Sequence, residues 1–237
     1  MSVLAIIPAA GVGVRMGAVG GGMPKQFLSL EGAPIVIHTL RKFAASDAID
    51  LIYLALRDDD MERARQDIER EHFQKSVRLV EGGATRQETV ARALAQAPES
   101  TEVVVVHDAV RPFVPLELIR RVVDEARRSG AAILGIPSVD TVKQVERLMI
   151  LGTLPRERVV LAQTPQAFHY DILREAFARA ARDGYQGTDE SSLVERIDRP
   201  VTVLMGSDRN IKITKPSDLP LARLYVAQER EPVANHG

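Results

Sequence analysis

Residues 8–27 read PAAGVGVRMGAVGGGMPKQF, a stretch in which glycines at 11, 13, 17, 20, 21 and 22 surround two cations, Arg15 and Lys25. Gly11 and Gly13 let the backbone approach a ligand closely, and consecutive N–H groups in such a turn cradle phosphate oxygens. Two glycines alone read as an ordinary turn. Arg15 and Lys25 shift the balance, because a bidentate cation and a point charge on one loop match a polyphosphate better than they match solvent. The dinucleotide pattern G-x-G-x-x-G is not met: Met16 stands where Gly or Ala is required, and no acidic residue closes a second strand about 20 positions on. The pattern G-x-x-x-x-G-K-[ST] fails as well, since Gly22 is followed by Met23 and Pro24.

Three further segments concentrate polar residues, EGGATRQET (81–89), HDAVRP (107–112) and GSDRNIKITKP (206–216). Gly82 and Gly83 would let backbone amides reach a pyrimidine edge or a ribose, while Thr85 and Glu88 form a capping box and read as a helix start. Arg86 reads equally as a solvated helix residue and as a site residue. Asp108 places a hard carboxylate at a strand tip, where magnesium bridged to phosphate oxygens could use it, although alone it reads as a cap of the turn before Arg111 and Pro112. His107 reads as a strand-end histidine. Lys212 lies on the alternating run NIKIT, read as a strand with Ile211 and Ile213 on the opposite side. Thr188 and Asp189 read as a helix start.

These segments need a scaffold that brings strand ends together. The apolar runs at about 3–8, 50–56, 76–80, 103–107, 131–136 and 201–205 read as strands, with amphipathic helical stretches between most of them, at about 170–181 and 189–197, and from about 217. That alternation predicts an α/β fold with a doubly wound, mostly parallel sheet, whose ligand site lies outside the carboxyl ends of the strands. Residues 138–168 break the rhythm with short β-like pieces, and 138–158 reads as a protruding β-arm. The chain of 237 residues, 45% hydrophobic, suits a single domain over 1–237 with that one excursion.

A net charge of -1 supplies no field to recruit nucleic acid or an acidic membrane, so an anion must be held locally. With no cysteine, disulfides and thiolate metal sites are excluded. No charged segment precedes a long apolar one and no run of about 18 apolar residues occurs, so neither export nor a membrane span is expected and the cytoplasm is the default.

GVGVRMG followed by PKQF resembles the signature of cytidylyltransferase-type nucleotidyltransferases. GGATRQETV, HDAVRPF, VDTVKQV, QTPQAF, GTDESSLVE and NIKITKPSDL then appear in the order of the 2-C-methyl-D-erythritol 4-phosphate cytidylyltransferase family. The expanded GAVGGG after Met16, Thr89 in place of a more frequent Ser, and Val110 after HDA depart from that family's pattern. The resemblance implies a Rossmann-like nucleotidyltransferase fold that joins CTP and methylerythritol phosphate into a CDP-alcohol, releasing pyrophosphate with Mg2+. It places Arg15, Lys25 and Lys212 in catalysis, and Ala9, Ala10, Gly11, Gly13, Gly82, Gly83, Thr89 and Asp108 at CTP. Thr141, Arg156, Lys212 and, more weakly, Arg111 go to the acceptor phosphate. It also implies a homodimer, which the arm permits by burying Val139, Val142 and Val145 against a second chain. Ribitol-5-phosphate cytidylyltransferase shares the CTP half and differs at the acceptor; GTDESSLVE and DTVKQV favour the first family. A non-catalytic nucleotide-binding regulator is the reading from another class, and Arg15, Lys25 and Lys212 argue against it.

Overall fold

In the VLAII of residues 3–7 and the VVVV of 103–106, side chains on both faces of an extended chain must leave water, which requires helices above and below. A computed structural model describes residues 1–11 and 23–230 of the chain. The expected strands are β1 (Ser2–Pro8), β4 (Leu51–Leu56), β5 (Val77–Glu81), β6 (Thr101–Val106), β7 (Ala131–Pro137) and β11 (Thr202–Met205). A small pair, β2 (Ser29–Leu30) and β3 (Ala33–Pro34), follows β1, and the hairpin β8 (Val142–Glu146) and β9 (Met149–Leu154) precedes β10 (Val160–His169). Helices are α1 (Ile35–Ala45), α2 (Asp58–Glu69), α3 (Arg86–Leu94), α4 (Leu116–Ser129), α5 (Tyr170–Asp183), α6 (Glu190–Glu195) and α7 (Leu219–Arg230).

Seven strands form one sheet in the order β11-β7-β10-β6-β1-β4-β5, with β10 antiparallel to both of its neighbours. From β1 the chain steps outward to β4 and β5, then returns to β6 on the other side of β1. The order therefore reverses between β1 and β6, and their carboxyl ends flank an open crevice.

Alternate residues of each strand feed two cores. Val3, Ala5, Ile7, Val103 and Val105 pack with α1 and α4, while Leu4, Ile6, Val104 and Val106 pack with α3 and α5. Each of the Val, Leu and Ile side chains contributes roughly 1.5–3 kcal/mol on burial. In α4 the buried residues Leu118, Ile119, Val122, Val123 and Ala126 recur at helical spacing, and Gly130 ends the helix at φ 90°, a conformation that glycine adopts without a Cβ clash.

The irregular stretch 138–168 resolves into two parts: a hairpin that ends at Leu154, within the expected arm, and β10, which returns as an interior strand whose Ala167 and Phe168 are fully buried. One reading of the sequence changes. NIKIT is not a strand. Residues 210–214 form a connection without regular structure and, among the described residues, without a sheet partner, anchored where the Ile213 N–H donates to the Val110 carbonyl (2.9 Å) and where Ile213 enters a third core with Phe113 and Val226.

Candidate active site

The crevice begins where β1 ends. Ala9 is held to β4 by its N–H donating to the Ala55 carbonyl, and the Gly82 N–H donates to the Leu56 carbonyl, so the loops after β1 and β5 lie side by side. A Cβ on Gly82 would stand 2.7 Å from that of Ala10, so glycine is required for this approach. Gly13, Arg15 and the GAVGGG segment lie outside the described residues.

The far anchor of the glycine stretch is a 3-10 turn, Lys25–Phe27. Buried Gln26 donates from Nε2 to the carbonyls of Ala9 (2.6 Å) and Gly11 (3.1 Å), closing the neck of the loop and holding Lys25 on the cavity wall. The sequence reading passed over Gln26; its signal was a glutamine fixed between the site lysine and a core phenylalanine.

Thr85 caps α3 by accepting from the Glu88 N–H. Thr89, placed at CTP by the resemblance, donates its hydroxyl proton to the Thr85 carbonyl (2.8 Å) and accepts from the Gly83 N–H (3.1 Å). It thus shapes the Gly82–Gly83 turn from within while lining the cavity.

At the tip of β6, Asp108 is the hub of a charge network. Its N–H donates to the Thr164 hydroxyl at 3.0 Å. Oδ1 accepts from Arg86 Nε (3.2 Å), and Oδ2 from Lys212 Nζ (2.8 Å) and Arg111 Nε (3.4 Å). Burial alone would push the Asp108 carboxyl up, but the charges of Arg86 and Lys212, then Arg111, outweigh it and hold the group below the usual carboxylate range. Arg86 also meets Glu190 through two bonds, of 2.7 and 3.0 Å. Although burial opposes it, the charges of Glu190 and Asp108 raise the Arg86 pKa above its ordinary value. Arg86 is therefore not a solvated helix residue: it is paired with two buried carboxylates and lies on the cavity wall.

Lys212 is placed by the connection after β11. Asn210, fully buried, donates from Nδ2 to the Thr164 carbonyl (2.7 Å) and to Gln163 Oε1 (3.1 Å), and Arg111 Nη1 donates to the Asn210 carbonyl (2.8 Å).

Two cavities adjoin at this network. The first is lined by Ala9, Ala10, Gly11, Lys25, Gly83 and Thr89, the second by Arg111, Gln163, Thr164, Thr188 and Asp189. Arg86, Asp108 and Lys212 line both. Asp108 is the sole carboxylate on the first wall, and among the described residues no group of three or more His, Asp or Glu side chains is placed to hold a metal ion. Thr141 and Arg156 are exposed on the arm and line neither cavity of their own chain. Asp189 caps α6 by accepting from the Ser192 N–H, as its helix-start reading expected.

His107 is fully buried against Phe43. Its Nε2 lies 3.0 Å from the Arg111 carbonyl, which assigns the proton to Nε2 and leaves Nδ1 without a hydrogen-bond partner among the described residues. Burial lowers its pKa to about 4. In the unfolded chain the ring gains its proton near 6.5, so stability is full above that pH, falls as pH drops toward 4, and changes no further below. We expect this group to account for about 3 kcal/mol of lost unfolding free energy between pH 7 and 4. His38, also lowered by burial, acts in the same direction. The difference between wild type and His107→Gln in urea titrations isolates His107, and parallel curves for the two proteins would place the acid sensitivity elsewhere.

The profile of the family 2-C-methyl-D-erythritol 4-phosphate cytidylyltransferase matches residues 3–228. A protein of that name from Solibacter usitatus is 52% identical over 97% of this chain and 97% of its own. One from Acidobacterium capsulatum is 50% identical over 96% and 98%. Among solved structures, 4-diphosphocytidyl-2C-methyl-D-erythritol synthase from Anaerococcus prevotii superposes with a TM-score of 0.84 at 31% identity, covering 95% of this chain and 96% of that one. The Thermus thermophilus 2-C-methyl-D-erythritol 4-phosphate cytidylyltransferase gives a TM-score of 0.76 at 36% identity, covering 96% and 100%.

Proposed function

Since the chain belongs to the 2-C-methyl-D-erythritol 4-phosphate cytidylyltransferase family, we propose that it joins CTP and 2-C-methyl-D-erythritol 4-phosphate, giving the 4-diphosphocytidyl alcohol and pyrophosphate. The observation that carries this reading is the pair of adjoining cavities with Arg86, Asp108 and Lys212 common to both. One cavity is walled by glycine loops and Lys25, suited to a nucleotide, and the other by polar side chains suited to a polyol. Their junction is where the α-phosphate of one substrate would meet the phosphate of the other.

A phosphate monoester has its second pKa near about 6, so the acceptor is already a nucleophile at neutral pH and the site needs no general base. Its oxygen attacks the α-phosphorus while the bond to the bridging oxygen of the leaving pyrophosphate breaks. The protein's part is in-line placement and neutralisation of charge. Lys25, from the nucleotide wall, faces the triphosphate, and the family resemblance assigns Arg15 to the same group. Lys212, poised on Asp108, turns to the acceptor and α-phosphates, with Arg111 on the acceptor side. Magnesium entering with the triphosphate would supply charge neutralisation at the phosphates, and Asp108, the carboxylate on the nucleotide wall, would hold it only by giving up a contact with Arg86 or Lys212.

Thr141 and Arg156 complete the acceptor site from a second chain. The arm supports this arrangement: Val145, Leu148 and Ile150 are 57%, 97% and 63% exposed, an apolar surface that a two-fold partner would cover. No helix is long and apolar enough to cross a membrane, among the described residues, and a cytoplasmic setting suits a chain that takes CTP.

Pyrophosphate release with CTP tests the reading. Methylerythritol phosphate should support turnover, and ribitol 5-phosphate or no acceptor should not. Turnover with ribitol 5-phosphate alone would move the chain to the related activity, and none with either acceptor would leave a nucleotide binder.

A further inference from the structure

Glu190 is an unusual residue to bury. Its side chain is 2% exposed, burial pushes its carboxyl pKa up against the opposing charge of Arg86, and it lines neither cavity itself. Its partner, Arg86, lines both cavities and spends only Nε on Asp108. Both outer nitrogens are taken by Glu190, at 2.7 and 3.0 Å.

The arithmetic of charge gives this pairing a purpose. Three cations, Arg86, Arg111 and Lys212, converge on one carboxylate, that of Asp108. A guanidinium engages a lone carboxylate best through two parallel bonds, so an unrestrained Arg86 would take both oxygens of Asp108 and compete with Lys212 for Oδ2. Glu190 removes that option by occupying the fork.

The turn carrying Glu190 is itself fastened to β10. Gln166 donates from Nε2 to Asp189 Oδ2 (2.7 Å), and its Oε1 accepts from the Ser191 N–H (3.1 Å). Two residues earlier on the same strand, the Thr164 hydroxyl fixes the Asp108 N–H. Both carboxylates that grip Arg86 are therefore registered on one strand.

We propose that Glu190 is a positioning residue for cytidylyl transfer: by holding the outer nitrogens of Arg86, it reserves Asp108 Oδ2 for Lys212 and so sets the lysine at the junction of the two cavities. This inference rests on the role given to Lys212 under Proposed function. It predicts a loss in the chemical step with nucleotide binding preserved, because the glycine loops and Lys25 are untouched.

Steady-state kinetics of Glu190→Gln and Glu190→Asp, alongside wild type and with thermal melts of each, test it. Glu190→Gln should lower kcat by about 10- to 100-fold with KM for CTP within about threefold, as expected when an interaction acts only in the transition state. Removing one partner of a buried pair can unfold a chain, so Glu190→Asp supplies the folded comparison: it keeps the charge, withdraws it by one methylene, and should lose kcat with a wild-type melting temperature. A folded variant of either kind with kcat within twofold of wild type overturns the inference and leaves Glu190 as a tie between α3 and α6. So does a loss that appears wholly in KM for CTP. Absence of turnover in wild type itself would instead overturn the functional reading beneath it, and this inference with it.

Discussion

Lys25→Ala is expected to lower turnover by two to three orders of magnitude, equivalent to about 3 to 4 kcal/mol of lost transition-state stabilisation. Lys25 opens the 3-10 turn that Gln26 pins to the end of β1, and it lines the nucleotide cavity together with Asp108 and Lys212. Charge accumulates on the leaving pyrophosphate as the bond to the α-phosphorus breaks, so a fixed ammonium group there is worth more in the transition state than in the bound substrate. The fold should feel the change little, because the turn is held by buried Gln26 and Phe27. The expected pattern is a collapsed kcat with a melting temperature within a few degrees of wild type. Near-normal turnover would remove Lys25 from the mechanism, and a large fall in melting temperature would show that it serves structure.

Two inactive chains should restore each other. Arg156 sits on the arm after β9, where its Nη1 donates to the Val139 carbonyl, and it lines neither cavity of its own chain. If the arm serves the partner's site, a dimer of one Lys25→Ala chain and one Arg156→Ala chain holds one site with an intact loop and an intact partner arm. Random exchange makes mixed dimers about half of the population, each with one good site, so activity should rise from near zero to about a quarter of wild type. If proven subunit exchange restores nothing, Arg156 serves its own chain.

The centre of the sheet was legible because β1 and β6 are apolar on both faces, with VLAII and VVVV buried throughout. β10 was harder: its interior half, QTPQAF, carries Gln163, Thr164, Pro165 and Gln166 among its apolar residues, and those polar groups are satisfied only by tertiary partners such as Ser207, Asn210 and Asp189. NIKIT alternates as a strand does, but alternation reports only which side chains can be buried, and among the described residues no strand pairs with it. The motifs contained Gln26, Thr164, Asn210 and Glu190 without marking what they do: these are ordinary types, and their roles depend on contacts spanning from 15 to 104 positions along the chain.

The claim on which the mechanism turns is that the acceptor's own phosphate attacks the α-phosphorus of CTP directly, with Lys25 and Lys212 on either side of it. The stereochemical course at that atom reads this most directly, using CTP with a single sulfur configuration at the α-phosphorus and determining the configuration of the diphosphate product. One in-line displacement predicts inversion. Net retention would contradict the account, since it requires a second displacement through a cytidylyl group bound to the protein.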